Sequence, residues 1–296
     1  VNRVFQGLIM SDATVRYPRV WSDRDSTVTP NGRIAETNFV PGEVMLEQAA
    51  ELFLRESLRS TLGRRHRELR PFSREWFEGI DFERYERQAS WLPRLLEFEK
   101  HRGETVVGYG DGLGADWIQY ARAGANVVAC CRNDEQLHLV RENFNRAGHT
   151  ARFLVCPESS FPIADSNVDV VCTNFAHGSN VGEITRILRP GGKVLALFPA
   201  RYDLGFWLTY FAPWAKLFLR SLNPLPDRPR LSLREARRLF HTLVDHRVRK
   251  RLLRRSDLPH LIRWLPPEVL ERTFGKIVVL KAFKPVQVIA AHRHAA

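Results

Sequence analysis

The stretch VVGYGDGLGAD, Val106 to Asp116, decides how this chain is read. Gly108, Gly110, Gly112 and Gly114 alternate with other residues directly after the apolar Thr105-Val106-Val107, and they run into the helix-like Asp116-Trp117-Ile118-Gln119-Tyr120-Ala121. A strand, a glycine turn and a helix in this order make a nucleotide cradle. Glycine lets the backbone approach a ligand closely and take dihedrals that other residues avoid. The start of the following helix offers N–H groups with no partner inside the helix.

Working outward from the cradle, strand and helix patterns alternate. Strands are expected at Thr105–Tyr109, Asn126–Cys131, Ala151–Cys156, Val168–Thr173 and Lys193–Phe198. Helices are expected between them at Leu113–Ala123, Asp134–Arg146 and Val181–Leu188. Such alternation predicts an α/β fold, a Rossmann-like, doubly wound, mostly parallel sheet with helices on both faces. Asn133 with Gln136 has the spacing of a capping box. Pro190-Gly191-Gly192 has the composition of a turn that stops the third helix and launches the fifth strand.

Upstream, residues 1–40 hold many turn formers and read as an irregular arm, followed by helical periodicity over Glu43–Ser60 and Arg84–Lys100, the latter interrupted near Pro93. Downstream come an aromatic stretch, a proline-rich turn at Asn223-Pro224-Leu225-Pro226, a helix over Leu233–Leu243, and strands at Asp245–Leu252 and Lys276–Phe283. The expected organisation is an arm plus helical extension over 1–100 and a Rossmann-like domain over 101–296. Within that domain, 200–296 supplies a lid segment and the final strands.

Two ligand classes compete for the cradle. Gly110-Asp111-Gly112-Leu113-Gly114-Ala115 satisfies the dinucleotide fingerprint G-x-G-x-x-G/A, and Arg132 after the second strand suits the 2′-phosphate of NADP. The other class accounts for more of the chain. Gly110 to Asp116, then Ala121-Arg122-Ala123-Gly124-Ala125-Asn126-Val127-Val128, Phe161-Pro162 before Asn167-Val168-Asp169-Val170-Val171, and Glu183 to Val194 with its Leu188-Arg189-Pro190-Gly191-Gly192-Lys193 follow in order. With these elements the stretch from Gly103 to Pro199 resembles the class I S-adenosylmethionine-dependent methyltransferases, in particular the small-molecule "type 11" group.

The resemblance implies S-adenosyl-L-methionine as cofactor and methyl transfer to a small-molecule or lipid-like acceptor. It places the cofactor against Gly108, Gly110, Asp111, Gly112, Gly114, Cys131, Arg132, Cys156, Pro157 and Asn174. The family usually carries an acid two residues before the first loop glycine, one ending the second strand and one after the third. This chain has Gly108, Cys131 and Cys156-Pro157 there. A thiol accepts hydrogen bonds weakly and glycine has no side chain. Asp111, Asp134 and Glu158 are acids close enough in sequence to compensate, or they are helix caps and solvated loop acids. A catalytically inactive methyltransferase-fold binding or scaffold protein is therefore the alternative, with nucleic-acid methylation and NADP binding as lesser ones. On the acceptor side, Asn174, Phe175 and His177 follow the fourth strand, and His177 is the candidate catalytic base. Arg201, Tyr202 and the aromatic run 206–214 suit an acceptor lid, a membrane contact or core packing.

Bulk composition bounds these readings. The chain has 296 residues, 44% of them hydrophobic, and a net charge of +12. Its longest apolar run, Gly205 to Ala215, is interrupted by Pro213 and falls short of the ~18–20 residues of a membrane-spanning helix. With no basic-then-apolar leader pattern, the cytoplasm is the expected compartment. The four cysteines, Cys130, Cys131, Cys156 and Cys172, form no C-x-x-C pair, so reduced buried thiols are expected and no metal site. Basic residues cluster at Arg59–Arg70 and Arg228–Arg255, stripes that suit nucleic-acid phosphates or anionic lipid.

Overall fold

The computed structural model describes residues 73–110, 113–156, 160–174, 181–211, 230–251, 258 and 260–286. The arm expected over 1–40, the helix over 43–60 and the turn at 223–226 lie outside the described residues.

Seven strands form one sheet: β1 Thr105–Gly110, β2 Asn126–Cys131, β3 Arg152–Val155, β4 Val168–Asn174, β5 Leu188–Pro199, β6 Val244–Arg251 and β7 Ile277–Phe283. Their order is β3-β2-β1-β4-β5-β7-β6. The first five are parallel; β7 runs antiparallel to β5, and β6 antiparallel to β7. The doubly wound, mostly parallel α/β sheet expected from the sequence is thus present. The order reverses between β1 and β4. In such sheets a ligand crevice opens at that reversal, outside the carboxyl ends of the strands.

Strand composition follows position. β1 is buried from Val106 to Gly110, and β5 from Val194 to Pro199, because helices cover both faces of the inner strands. The edge strand β6 reads Val-Asp-His-Arg-Val-Arg-Lys-Arg, and charges on an edge discourage pairing with another chain.

The described helices are α1 Arg74–Asp81, α2 Leu92–Leu96, α3 Ala115–Arg122, α4 Asp134–Arg146, α5 Val181–Ile187, α6 Leu204–Phe211, α7 Leu233–Leu239 and α8 Pro267–Phe274. Some local expectations are corrected. The stretch 84–100 is not one helix interrupted at Pro93. A π-helical segment Phe82–Gln88 continues α1, and α2 is followed by a 3-10 turn Phe98–His101 after Glu97 at φ 54°. Pro93 lies in the first turn of α2, where its missing N–H leaves no helical bond broken. Pro190-Gly191-Gly192 does not precede the fifth strand but lies inside it. Val168 pairs with Leu188 and Val170 with Lys193, so the triad bulges out of β5, with Gly191 at φ 79°. The helix expected to reach Leu243 stops at Leu239, and Phe240 and Leu243 turn into the core instead.

The core has two layers. One face of the sheet, with Val107, Tyr109, Val171 and Phe198, packs on Ile184 and Ile187 of α5 and Ala236 of α7. The other face, with Val106, Ala129, Cys172 and Leu195, packs on Trp117, Ile118 and Tyr120 of α3 and Val140 and Phe144 of α4. Leu92, Leu96 and Phe98 join this second layer. The Tyr120 hydroxyl donates to the Leu96 carbonyl at 2.6 Å, and Gln119 and Arg122 donate to Asp81. The segment 74–101 is thus pinned to the face that carries α3.

Near the amino-terminal part of β5, Glu97 gathers Lys193, Lys281 (2.8 and 2.9 Å) and Lys100 (3.2 Å). Burial pushes the Glu97 carboxyl up, but the hydrogen bonds from Lys193 and Lys281 outweigh it and hold the group at about 2. A carboxylate held below its ordinary value stabilises the fold above that ordinary value, and the contribution disappears as pH falls toward the folded one. We therefore expect Glu97→Gln to lower the unfolding free energy by about 2 kcal/mol at neutral pH. In urea titrations the gap to wild type should close as pH falls from about 5 toward 2. A gap independent of pH would show that the lysine cluster is not its source.

Candidate functional site

The crevice is built first from backbone. Gly110 ends β1 and pairs with Asn174, which ends β4. Gly110 has φ 133°, and a Cβ there would stand 2.2 Å from the Asn174 carbonyl oxygen. A side chain is excluded on both counts. Gly114, at φ 73°, caps α3 in the left-handed region, which delays the helix to Ala115 rather than the expected Leu113.

Two amides from α4 hold this turn. Gln136 Nε2 donates to the Gly110 carbonyl at 2.8 Å, and its Oε1 accepts from the Arg132 N–H at 2.9 Å. Asn143 Nδ2 donates to the Leu113 carbonyl at 2.6 Å. The expected capping box is therefore half present. Asn133 Oδ1 accepts from the Gln136 N–H, but the Gln136 side chain reaches back to Arg132 and across to β1 instead of to Asn133. The glycine turn leaves the Gly110 carbonyl needing a donor, and Gln136 supplies it.

Beside the turn lies a buried charge that sequence reasoning missed. Asp116, in the first turn of α3, is 1% exposed in its side chain. Its Oδ1 accepts from Arg84 Nε at 2.8 Å and from the Tyr85 hydroxyl at 2.7 Å. Its Oδ2 accepts from Arg84 Nη2 and from Asn174 Nδ2, the latter at 2.9 Å. Burial would push the Asp116 carboxyl up; Arg84 overcomes it, and the group sits below its ordinary range. Burial, then the neighbouring carboxylate, holds the Tyr85 phenol well above its ordinary value. Arg84 and Tyr85 come from the π-helical segment, so the N-terminal extension reaches the point where the strand order reverses. An acid in the first turn of the helix was visible in the sequence. Its partners, some thirty residues upstream, were not.

The remaining expected residues divide. Gly108 faces Trp117, whose ring atoms would lie 2.4 Å from a Cβ at 108, so the indole occupies the side-chain position. Cys131 ends β2 and Cys156 follows β3, at the carboxyl ends of adjacent strands, and the Cys156 N–H donates to the Cys131 carbonyl at 2.7 Å. Both side chains are fully buried, Cys131 in the layer with α3 and α4, Cys156 in the opposite one. The two thiols therefore do not share a surface open to the crevice. Burial, then the nearby Cys156, pushes the Cys131 thiol up to about 12, leaving it protonated and inert. Arg132 is exposed, and so is Asp134 at the first position of α4. Asn174 Oδ1 and Trp117 Nε1 are buried polar atoms without a hydrogen-bond partner among the described residues. Asp111, Gly112, Pro157, Glu158, Phe175 and His177 lie outside the described residues.

A groove of about 310 Å³ lies elsewhere, lined by residues of α1, α3 and the end of α4. No strand residue lines it, and its Arg74, Arg122 and Arg146 pair with Glu78, Asp81 and Glu142. Among the described residues no group of acids, histidines and cysteines is arranged to hold a metal ion.

Residues 106–196 match the family model described as a methyltransferase domain. These are the residues of the glycine turn, the first five strands and the bulged triad. Among solved structures, the chain is similar to an S-adenosylmethionine-dependent methyltransferase from Aquifex aeolicus, with 16% identity over 71% of this chain and 98% of that one and a TM-score of 0.48. It is also similar to the geranyl diphosphate C-methyltransferase of Streptomyces coelicolor A3(2), solved with Mg2+, geranyl diphosphate and S-adenosyl-L-homocysteine. That likeness has 17% identity over 83% of this chain and 100% of that one, with a TM-score of 0.49. No curated protein matches the chain.

Proposed function

We propose that the protein transfers the methyl group of S-adenosyl-L-methionine to a small-molecule or lipid-like acceptor. The observation that carries this reading is the turn at Gly110, closed against Asn174 where the strand order reverses, within the segment that matches the methyltransferase model. Two features of the turn support this reading. Glycine lets the ends of β1 and β4 close on each other without a side chain between them, and Asn174 Oδ1 is a buried acceptor with no donor among the described residues, suited to an ammonium or hydroxyl group. When bound, the cofactor supplies an electrophilic methyl group. The chain's part is to hold the cofactor at the backbone of 110–114 and at Asn174, and to align the acceptor, which alone lowers the barrier greatly. His177, close after β4 in the sequence, is the residue we assign to take a proton from an acceptor that must lose one.

A second reading has its own observation. Trp117 fills the place of a side chain at 108, Cys131 and Cys156 are sealed in the core, and Asp116 is committed to Arg84, Tyr85 and Asn174. Loss of two or three charged hydrogen bonds weakens binding by about 10²–10⁵, and a protein of this fold that binds without catalysing would show that weakness. Parallel calorimetric titrations with S-adenosylmethionine, S-adenosylhomocysteine and NADPH separate the readings. We expect binding of the first two, at about tens of micromolar, and none of NADPH. Heat from NADPH alone would move the site to the dinucleotide class. Silence with all three would leave the fold without methyl transfer.

A further inference from the structure

Helix α6 is unusual in composition. From Leu204 to Ala215 the sequence has no charged residue and carries Phe206, Trp207, Tyr210, Phe211 and Trp214. Among its described side chains, Leu204, Phe206 and Trp207 are half-buried and Tyr210 is exposed. Tyr202, Phe206 and Tyr210 form a ladder along one side, with ring centroids 5.0 and 6.2 Å apart. Tyr202 is 42% and Tyr210 67% exposed. The helix is nonetheless firmly placed. Trp207 Nε1 donates to the Thr273 carbonyl at 3.1 Å, and Lys250 Nζ joins the Tyr202 and Thr273 carbonyls.

Leu204 packs with Ile262, Leu265 and Phe274 around Leu258 and Leu270, so α6, the 260–265 turn and α8 make one small module. That module also presents Trp264, 76% exposed, and Val269, 47% exposed. Residues 201–255, which begin at this helix, hold fourteen Lys and Arg against four Asp and Glu, and so carry ten of the chain's twelve net positive charges.

We infer that this module docks on the surface of an anionic lipid bilayer. Tyrosine and tryptophan rings settle at the headgroup level, where an apolar body and a polar tip are both satisfied. An uncharged aromatic helix lying in that plane gains by burying apolar area, and basic residues near the surface add about 1 kcal/mol each. A nucleic-acid duplex would engage the basic residues but leave the uncharged helix idle, and a single strand, whose bases could stack on the rings, is the rival that the test separates. The contact is peripheral: no helix among the described residues is long and apolar enough to cross a membrane. It does not depend on the methyl-transfer reading.

The test is co-sedimentation of the full chain with phosphatidylcholine vesicles, with and without phosphatidylglycerol. Wild type should pellet with the anionic vesicles and stay in solution with the neutral ones. Tyr210→Ser combined with Trp264→Ser, two mostly exposed side chains, should raise the lipid concentration for half-binding about tenfold while the circular dichroism stays unchanged. Trp264→Ser alone should give part of that effect and serves if the double variant is unstable. Equal binding to both vesicle types, or variants that bind as wild type does, would overturn the inference. So would retention by single-stranded RNA without retention by vesicles.

Discussion

Asp116→Asn should lower the unfolding free energy by about 2–4 kcal/mol, somewhat below the range for a fully buried ion pair because Arg84 is partly exposed. The asparagine is nearly isosteric, so packing is preserved and the loss is electrostatic. Arg84, whose side chain is 27% exposed, stays charged at any accessible pH and would keep a partly desolvated guanidinium with no counter-charge among the described residues. The Tyr85 hydroxyl and Asn174 Nδ2 would each face a weaker acceptor. Urea denaturation followed by circular dichroism measures the change. The pair can also be removed together, as Arg84→Met with Asp116→Leu, and that double variant should recover much of the lost stability. A loss below about 1 kcal/mol for Asp116→Asn would mean that water reaches the pair and that the segment 74–101 is held by its other contacts.

Gly110→Val should abolish cofactor binding, weakening S-adenosylmethionine by more than about a hundredfold, or ~2.7 kcal/mol. Valine at φ 133° is strained wherever it occurs, and here its Cβ would also overlap the Asn174 carbonyl. The turn must shift, and with it the backbone N–H groups at the start of α3. The strands should persist, since β1 is fixed from Thr105 onward by β2 and β4. Calorimetric titration reads the affinity, and circular dichroism shows that the sheet is retained. Affinity within about threefold of wild type would place the cofactor somewhere other than this turn.

The inner strands β1, β2 and β4 were legible because most of their residues obey one demand, burial on both faces. Val106-Val107, Val127-Val128 and Val170-Val171 have no alternation to confuse with an amphipathic helix, and glycines or capping residues punctuate their ends. The glycine turn was legible for a similar reason, since backbone geometry admits few residues. The sealing of Cys131 and Cys156 was harder to foresee. A thiol is small and mildly apolar, so it suits a cleft wall or a core equally, and only the packing of Phe144, Trp117 and Phe161 around the strand ends decides. An aspartate introduced at Cys131 would therefore enter an apolar layer and cost stability, where a position on a cleft wall would have gained a ligand acceptor. The ion pair of Arg84 with Asp116 lay beyond reach for another reason. It joins residues 32 apart, and a single sequence contains no record of such a contact.

The fit of Trp117 into the space beside Gly108 ties two positions of the chain into one inheritance. An acid at 108 needs room that the indole takes, so Gly108→Asp should be tolerated only when residue 117 is small, as in Trp117→Ala. Among homologues, large residues at 117 should therefore never accompany a carboxylate at 108, and the pair would mark which branch a sequence comes from.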